Sequence, residues 1–163
     1  MMPGRVLILM GSASDADTMR GTAEVLDGYG IPYKMTVASA HRTPERTHEL
    51  AGNAEKDGFS VIVAGAGAAA HLAGAVAAVT VLPVIGVPLA GSPLSGFDAL
   101  LSTVQMPAGI PVATVAIGKA GAQNAGHLAA QILSASSPEI REKVRAHRKR
   151  LAEALEEAAK GIS

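Results

Sequence analysis

The sequence predicts an α/β protein of three layers, in which helices cover both faces of a doubly wound parallel sheet. Short apolar runs alternate along the chain with longer segments of helical periodicity, which is the order of strand–helix–strand units. Several of these runs are continuously apolar, as in strands that are buried on both faces. With 163 residues, of which 48% are hydrophobic and 17% charged, the chain has the size and composition of one folded domain.

The strands follow from short apolar runs that end at turn residues. The first run, RVLILM, is apolar after its arginine and ends at Gly11, so we expect a buried strand there. The predicted strands cover residues 5–10, 33–38, 60–64, 83–87 and 112–117.

A segment of helical character follows each strand. In the second of these, Thr43 and Pro44 occupy the N-cap and first helical positions, where these residue types are favoured. The predicted helices cover residues 15–28, 43–56, 71–79, 97–104 and 120–133. This order is that of a flavodoxin-like sheet, and such sheets bind ligands at the carboxyl ends of their strands.

The last segment, residues 138–160, differs from the rest because it is strongly charged. Its apolar residues form one stripe at helical spacing: Ile140, Val144, Leu151, Leu155 and Ala158. We expect one domain over residues 1–163, with a core of about 5–135 and an extra C-terminal helix at about 138–160. This helix either docks on its own domain or, as we prefer, forms an arm that packs on a neighbouring subunit.

Composition excludes several classes of function. With 14 basic and 14 acidic residues and only 2% aromatics, the chain has no nucleic-acid-binding character. The absence of cysteine excludes disulfides and thiolate chemistry. The longest apolar stretches are interrupted by Gly, Pro and His, so we expect no membrane span, and the N-terminal residues lack a signal-peptide pattern. We therefore expect a cytoplasmic protein.

The loop after the first predicted strand has the residue types of an anion site. Ser12 and Ser14 could hold a phosphate at the start of a helix, and Asp15 could bind sugar hydroxyls. Ordinary N-capping by Ser14 or Asp15 is the alternative. The loop matches neither the dinucleotide-binding fingerprint nor the P-loop.

The loop after the second predicted strand, which begins at Ser39, presents His41 and Arg42 side by side. Histidine exchanges protons near neutral pH, and arginine suits bidentate phosphate binding. An exposed histidine and a solvated arginine are the alternative.

The third loop, residues 64–74, is composed almost entirely of Gly and Ala, with His71 as its one ionisable residue. Its backbone could close over a flat ligand and exclude water, whereas tight packing around a buried His71 is the alternative.

We expect loops 90–96 and 118–125 to complete the rim, where Lys119 is either an anion contact or a solvated charge. We expect His48, His127 and His147 to be structural or solvated. A metal between His41 and His71 would lack further ligands.

Taken together, the loops resemble the N5-carboxyaminoimidazole ribonucleotide mutase family. The matching segments are GSASD (11–15), SAHRTP (39–44), AGAGAAAHLAG (64–74), PVIGVPL (83–89), the run LSGFDALLSTVQMPAGIPVATVAIGKAGAQNA (94–125) and LAAQIL (128–133). Ala73 departs from the family, which usually has Pro there. The related animal-type carboxylases have Lys after the loop histidine and a Ser-Asn-Gly stretch in the third loop, so Arg42 and His71 favour the mutase class.

The resemblance implies transfer of a carboxylate from N5 to C4 of an aminoimidazole ribonucleotide in purine biosynthesis. It also implies that the reaction needs no metal, ATP or biotin, and that the protein is a homo-octamer whose sites are shared between subunits. His41 would be the catalytic acid/base.

The resemblance also assigns the binding groups. Arg42 and Ser12 would anchor the phosphate, and Asp15 the ribose. The site-lining residues of the third loop would be Ala66, Gly67, Ala68, His71 and Leu72. Three alternatives stay open: a carboxylase that uses free CO2, a non-catalytic nucleotide- or flavin-binding module, and a purely structural oligomer.

Overall fold

The computed structural model describes residues 4–162. Residues 1–3 and 163, which belong to the predicted domain range, lie outside the described part. The strands are β1 (Arg5–Met10), β2 (Tyr33–Val37), β3 (Phe59–Gly67), β4 (Val84–Leu89) and β5 (Ala113–Thr114). Within residues 4–162 they form one parallel sheet in the order β2-β1-β3-β4-β5.

Helices cover both faces of this sheet. They are α1 (Ala16–Tyr29), α2 (Pro44–Gly52), α3 (Leu72–Ala77), α4 (Phe97–Val104), α5 (Gly118–Ser134) and α6 (Pro138–Lys160). The predicted three-layer, flavodoxin-like α/β fold with an extra C-terminal helix is confirmed.

Two hydrophobic cores lie on opposite faces of the sheet. In β1, Val6 and Ile8 pack with residues of α1 and α5, whereas Leu7 and Leu9 belong to the core beneath α2 and α3. This two-sided burial is why the strand sequence is continuously apolar instead of alternating.

Three predicted boundaries are wrong at the strands and their loops. β3 continues to Gly67, because Gly65 and Gly67 pair with Val87 and Leu89 of β4, so the third loop is shorter than expected. β4 likewise continues to Leu89 instead of ending at residue 87. β5 contains only two residues, because only Ala113 and Thr114 pair with β4.

The predicted helix boundaries also shift. Residues 13–15 form a single 3-10 turn before α1, so the helix begins at Ala16 instead of residue 15. α2 ends at Gly52, short of residue 56, and turns lead to Gly58, whose φ of 82° suits glycine. α3 is shorter than predicted at both ends, and α5 begins two residues earlier.

The last helix, α6, is docked along only part of its length. Ile140 is buried and Val144 packs on the core of α1 and α5, while every side chain from residue 148 to residue 160 is exposed. Leu151 and Leu155 are 57% and 73% exposed. The first half therefore docks on its own domain, and the second half leaves its apolar stripe uncovered. No helix within residues 4–162 is long and apolar enough to span a membrane.

Candidate active site

A cleft opens at the carboxyl ends of β1, β2 and β3. The sheet order reverses between β1 and β3, which is the position where doubly wound sheets bind ligands. The cleft has a volume of about 270 Å³, near the lower end of the range for small-molecule sites, roughly 300–1,000 Å³. Every predicted site residue lines it: Ser12, Ser14, Asp15, Ser39, His41, Arg42, Ala66, Gly67, Ala68, His71 and Leu72.

The first loop is held by a capping box. The backbone N–H of Ser12 donates to Oδ2 of Asp15 at 3.0 Å, and Oγ of Ser12 accepts from the backbone N–H of Ser14 at 3.4 Å. The hydroxyl of Ser14 also donates to Oγ of Ser12 at 2.8 Å. Ser12 is thus the N-cap residue of this turn and Asp15 its capping-box partner. Asp15 also occupies the N-cap position of α1, where its side chain makes no capping hydrogen bond, and Ser14 caps neither element.

Asp15 carries a burial penalty. Burial raises the pKa of its carboxyl above the ordinary value of 3.8, and the Ser12 N–H and the nearby Arg42 guanidinium, which lower the pKa, only partly offset this effect. Functional sites often contain a carboxylate in a cleft whose pKa is shifted by burial.

Arg42 joins the first and second loops. One terminal nitrogen, Nη2, donates to the carbonyl oxygen of Gly11 at 2.8 Å, while its backbone N–H and Nε donate to Oγ of Ser39 at 3.2 and 3.5 Å. The backbone N–H of Ser39 in turn donates to the hydroxyl of Thr43 at 3.0 Å. Thr43 occupies the N-cap position of α2 as predicted, but its hydroxyl makes no capping hydrogen bond and instead fixes this loop.

His41 and His71 form a hydrogen-bonded pair. Nε2 of His41 lies 2.6 Å from Nδ1 of His71, and the two rings meet edge to face at 83°. In such a contact one nitrogen donates a proton and the other accepts it. Both side chains are exposed, so the predicted alternative of a buried, packed His71 is wrong. The pair can pass a proton to or from a ligand in the cleft.

The third loop brings backbone rather than side chains to the cleft. Ala68 has a φ of 51°, a left-handed conformation that is unusual for a residue other than glycine. Two tight turns follow, in which the N–H groups of Ala70 and His71 donate to the carbonyl oxygens of Ala68 and Ala69, both at 2.8 Å. These turns lead directly into α3 and hold His71 opposite His41.

Sequence reasoning did not name three lining residues and misplaced one segment. Gly11, Ala40 and Ala69 also line the cleft, and each lies within a loop that follows a strand. Gly91 lines it too and comes from the predicted rim loop 90–96. The predicted rim segment 118–125 instead forms the start of α5, and neither Lys119 nor its neighbours line the cleft. Its strand, β5, is at the far edge of the sheet, two strands away from the switch point.

The other histidines lie outside the cleft, as predicted. His48 is exposed on α2, while His127 and His147 stack on each other between α5 and α6. Within residues 4–162, no group of three or more His, Asp or Glu side chains could hold a metal ion.

The chain is similar over most of its length to N5-carboxyaminoimidazole ribonucleotide mutases of several organisms. N5-carboxyaminoimidazole ribonucleotide mutases from Pyrococcus horikoshii and Thermotoga maritima are 55% and 56% identical to it, over 95% and 94% of this chain and 86% and 90% of theirs. The Escherichia coli protein of the same name is 52% identical, over 90% of this chain and 87% of its own.

A solved structure agrees with this similarity. The crystal structure of Treponema denticola PurE superimposes with a TM-score of 0.89 at 30% identity, and the alignment covers 98% of both chains. A family model, AIR carboxylase, matches residues 5–154. The chain therefore belongs to the AIR carboxylase family.

Proposed function

We propose that the protein acts as an N5-carboxyaminoimidazole ribonucleotide mutase and produces 4-carboxy-5-aminoimidazole ribonucleotide in purine biosynthesis. Relatives that carry this name are 52% to 56% identical to the chain. The observation that carries the mechanism is the His41–His71 pair, 2.6 Å apart, in a cleft that also contains Arg42 and a loop almost free of side chains.

The phosphate of the nucleotide binds between the first two loops. Arg42 has N–H groups available for the phosphate, because its side-chain hydrogen bonds to Gly11 and Ser39 use only part of its five donors. The Ser12 hydroxyl supplies a further donor beside it, and the Ser14 hydroxyl can turn its proton from Ser12 to the phosphate. A guanidinium with neighbouring hydroxyls suits a phosphate dianion, since charge-assisted hydrogen bonds are the strong ones.

The ribose hydroxyls bind Asp15. Its Oδ2 accepts from the backbone of Ser12, so Oδ1 is the oxygen that we assign to the sugar. The raised pKa of this carboxyl is consistent with a group that is kept for binding despite its burial penalty.

The third loop provides the medium for decarboxylation. A carbamate carboxylate is stabilised by water, so an environment of Ala66, Gly67 and Ala68 backbone favours breakage of its N–C bond. The bond electrons remain on N5, CO2 is released inside the cleft, and N5 takes a proton from the His41 imidazolium. The amides and His71 hold the CO2 beside the ring.

Recarboxylation returns the proton to His41. The ring carbon C4 attacks CO2 and forms the new C–C bond, and neutral His41 then removes the C4 proton. One proton leaves His41 in the first half of the reaction and returns in the second. The steps therefore balance without ATP, a metal or a second substrate.

We further propose that the functional unit is a homo-oligomer, specifically an octamer with shared sites, in which residues 1–163 act as one domain per subunit. In a single chain His41, Ala68 and His71 are exposed, whereas the proposed decarboxylation requires that water be excluded. A neighbouring subunit would supply that cover, and the arm in the second half of α6, with Leu151 and Leu155 uncovered, would contact it. A cytoplasmic location and the absence of nucleic-acid partners stay predictions.

A turnover assay with purified protein tests the proposed function. N5-carboxyaminoimidazole ribonucleotide is added without ATP or added metal, and formation of the 4-carboxy product is followed by chromatography. We expect enzyme-dependent conversion in both directions. Binding of the nucleotide without turnover would leave a binding protein, and carboxylation of aminoimidazole ribonucleotide by free CO2 alone would point to the carboxylase.

A further inference from the structure

A second cluster of ionisable side chains lies far from the cleft, where α6 docks on α1 and α5. It consists of Tyr29, His127 and His147, which we call the imidazole cluster. The Tyr29 hydroxyl lies 2.9 Å from Nδ1 of His127, and the rings of His127 and His147 stack with centroids 4.4 Å apart and an interplanar angle of 25°. None of these residues lines the cleft.

The cluster joins three helices across a groove. Tyr29 comes from α1, His127 from α5 and His147 from α6, so the stacked rings are themselves part of the contact between α5 and α6. The remaining apolar contact is small, because Ile140 is the one buried residue of α6 within the described chain and Val144 is half-buried. The stacked rings therefore add to a limited apolar contact, and Arg141 supplements it with hydrogen bonds to the carbonyl oxygens of Ser134 and Ala135.

The charged groups that face the cluster are cations. Burial raises the pKa of Tyr29, and the positive charges of Arg148 and Arg150 on α6 partly offset this rise. Burial lowers the pKa of His127, and Arg148 lowers it further. Lys143 donates to the carbonyl oxygen of Tyr29 at 2.9 Å, and its charge is paired with Glu139.

The residues of α1 and α5 that line the groove supply no compensating charge. They are Val25, Gln123, Asn124 and Gln131 beside Tyr29 and His127, and no carboxylate lines the groove in residues 4–162. A proton added to His127 would therefore face Arg148 of α6 and, among the described residues, no carboxylate of the groove lining.

We propose that the imidazole cluster is a pH-responsive latch, in which neutral His127 holds the first half of α6 on α1 and α5 and protonated His127 releases it. A proton on His127, whose ring stacks on His147 at 4.4 Å, would place a positive charge beside the Arg148 guanidinium, which repels it. Release relieves this repulsion, because it separates His147 and Arg148 from His127 and exposes the rings to water.

The direction of the pH effect follows from linkage. Burial, then His147 and Arg148, lower the pKa of His127 below its ordinary value of 6.5. Between 6.5 and that lowered value, the docked helix binds fewer protons than the released helix. Docking is therefore strongest above pH 6.5 and weakens as the pH falls, by up to about tenfold per pH unit for one excluded proton.

Hydrogen exchange of the full-length protein tests the latch. Peptides from residues 138–147 are followed at pH 7.5 and 5.5, with rates corrected for intrinsic exchange and β1 as the internal reference. We expect α6 to lose protection by up to about tenfold at pH 5.5 while β1 keeps its protection. An unchanged ratio of α6 to β1 protection would overturn the proposal.

Variants separate the latch from a general effect of acid. H127Q/H147Q keeps polar side chains of similar size but cannot be charged, and we expect its α6 protection to be the same at both pH values. R148Q removes an exposed cation, should leave folding intact and should reduce the loss of protection at pH 5.5. H48Q changes an exposed histidine on α2 and should behave as the unmodified protein. A loss of protection that is identical in all four proteins would contradict the latch.

Discussion

At the scale of single residues, the cleft depends on two imidazoles that share one hydrogen. The 2.6 Å contact joins Nε2 of His41 to Nδ1 of His71, so we assign Nδ1 of His41 to the ligand. Neither ring is buried, so neither contributes to the hydrophobic cores. Their replacement should therefore affect chemistry far more than stability.

The variant His41→Asn tests the acid/base role. We expect turnover to fall by roughly 10²- to 10⁴-fold, the usual contribution of a positioned acid/base, with product affinity preserved. Urea unfolding should change by less than about 0.5 kcal/mol, because the side chain is exposed. His48→Asn is the matched control and should keep full turnover. Retained activity in His41→Asn would remove His41 from the mechanism.

Substitution of Asp15 tests whether this residue lowers stability while it contributes to substrate binding. Because its pKa is raised in the folded protein, the folded state binds more protons than the unfolded chain just above pH 3.8. Stability therefore falls as the pH rises through that window, and the ionised carboxylate is unfavourable at neutral pH. Asp15→Asn, whose amide oxygen can still accept from Ser12, should be as stable as the unmodified protein or more stable at pH 7.

The same variant should bind substrate poorly. Loss of a charged hydrogen bond to ribose should raise KM by roughly ten- to hundredfold. Urea unfolding from pH 4 to 8 and steady-state kinetics measure the two effects. An Asp15→Asn variant that is less stable than the unmodified protein at neutral pH and has an unchanged KM would contradict the assignment.

The sequence predicts where these residues lie better than how they touch. The loops that contain Ser12, His41 and His71 each follow a strand of a parallel sheet, so their proximity follows from topology alone. The contact between His41 and His71 instead depends on the left-handed Ala68 and the two turns after it. Nothing in the sequence of a Gly/Ala loop distinguishes that path from other paths.

At the scale of elements, the packing of α1 on α5 depends on the absence of side chains. A Cβ added at Gly126 would lie 2.8 Å from Cβ of Val25 and 2.9 Å from the carbonyl oxygen of Thr22. The buried hydroxyl of Thr22 also donates to the carbonyl oxygen of Ala122 at 2.7 Å, which fixes the distance between the two helices. The interface therefore has no room to adjust.

Gly126→Ala should lower the free energy of unfolding by roughly 1–3 kcal/mol, as overpacking does in tight interiors. The control is Gly28→Ala on the outer face of α1, where nothing lies within 4 Å of the added Cβ. That change should stabilise the protein by roughly 0.5–1 kcal/mol through helix propensity. Urea midpoints at one protein concentration measure both, and equal effects would refute the close approach.

Strand boundaries are predictable where burial marks them and not where pairing sets them. β1 is buried on both faces, so its apolar run alone marks both of its ends. Pairing with β4 extends β3 through glycines that look like a loop, whereas in β5 only Ala113 and Thr114 pair with β4. Both errors come from contacts between strands, which local composition does not encode.

At the scale of the whole molecule, exposed apolar surface indicates assembly. α4 presents Phe97, Leu101 and Val104 at 63%, 49% and 48% exposure, in addition to Leu151 and Leu155 on α6. We expect light scattering to give eight times the mass of the chain.

Leu155→Glu tests the contribution of α6 to this assembly, because a charge would replace an apolar contact. We expect a shift towards smaller species. Leu155 makes no contact with the core of its own chain, so the secondary structure measured by circular dichroism should stay unchanged. A monomeric protein, or an assembly unaffected by the glutamate, would contradict the proposed role of the arm.

Transfer of an isotopic label tests the central claim most directly. The substrate is N5-carboxyaminoimidazole ribonucleotide with carbon-13 in its carboxylate, supplied with the protein in excess unlabelled bicarbonate and followed by carbon NMR. We expect the label to appear on C4 without dilution, because in the proposed mechanism the cleft holds the released CO2 until C4 attacks it. Product that carries unlabelled carboxylate would contradict internal transfer and show that CO2 from solution is the substrate.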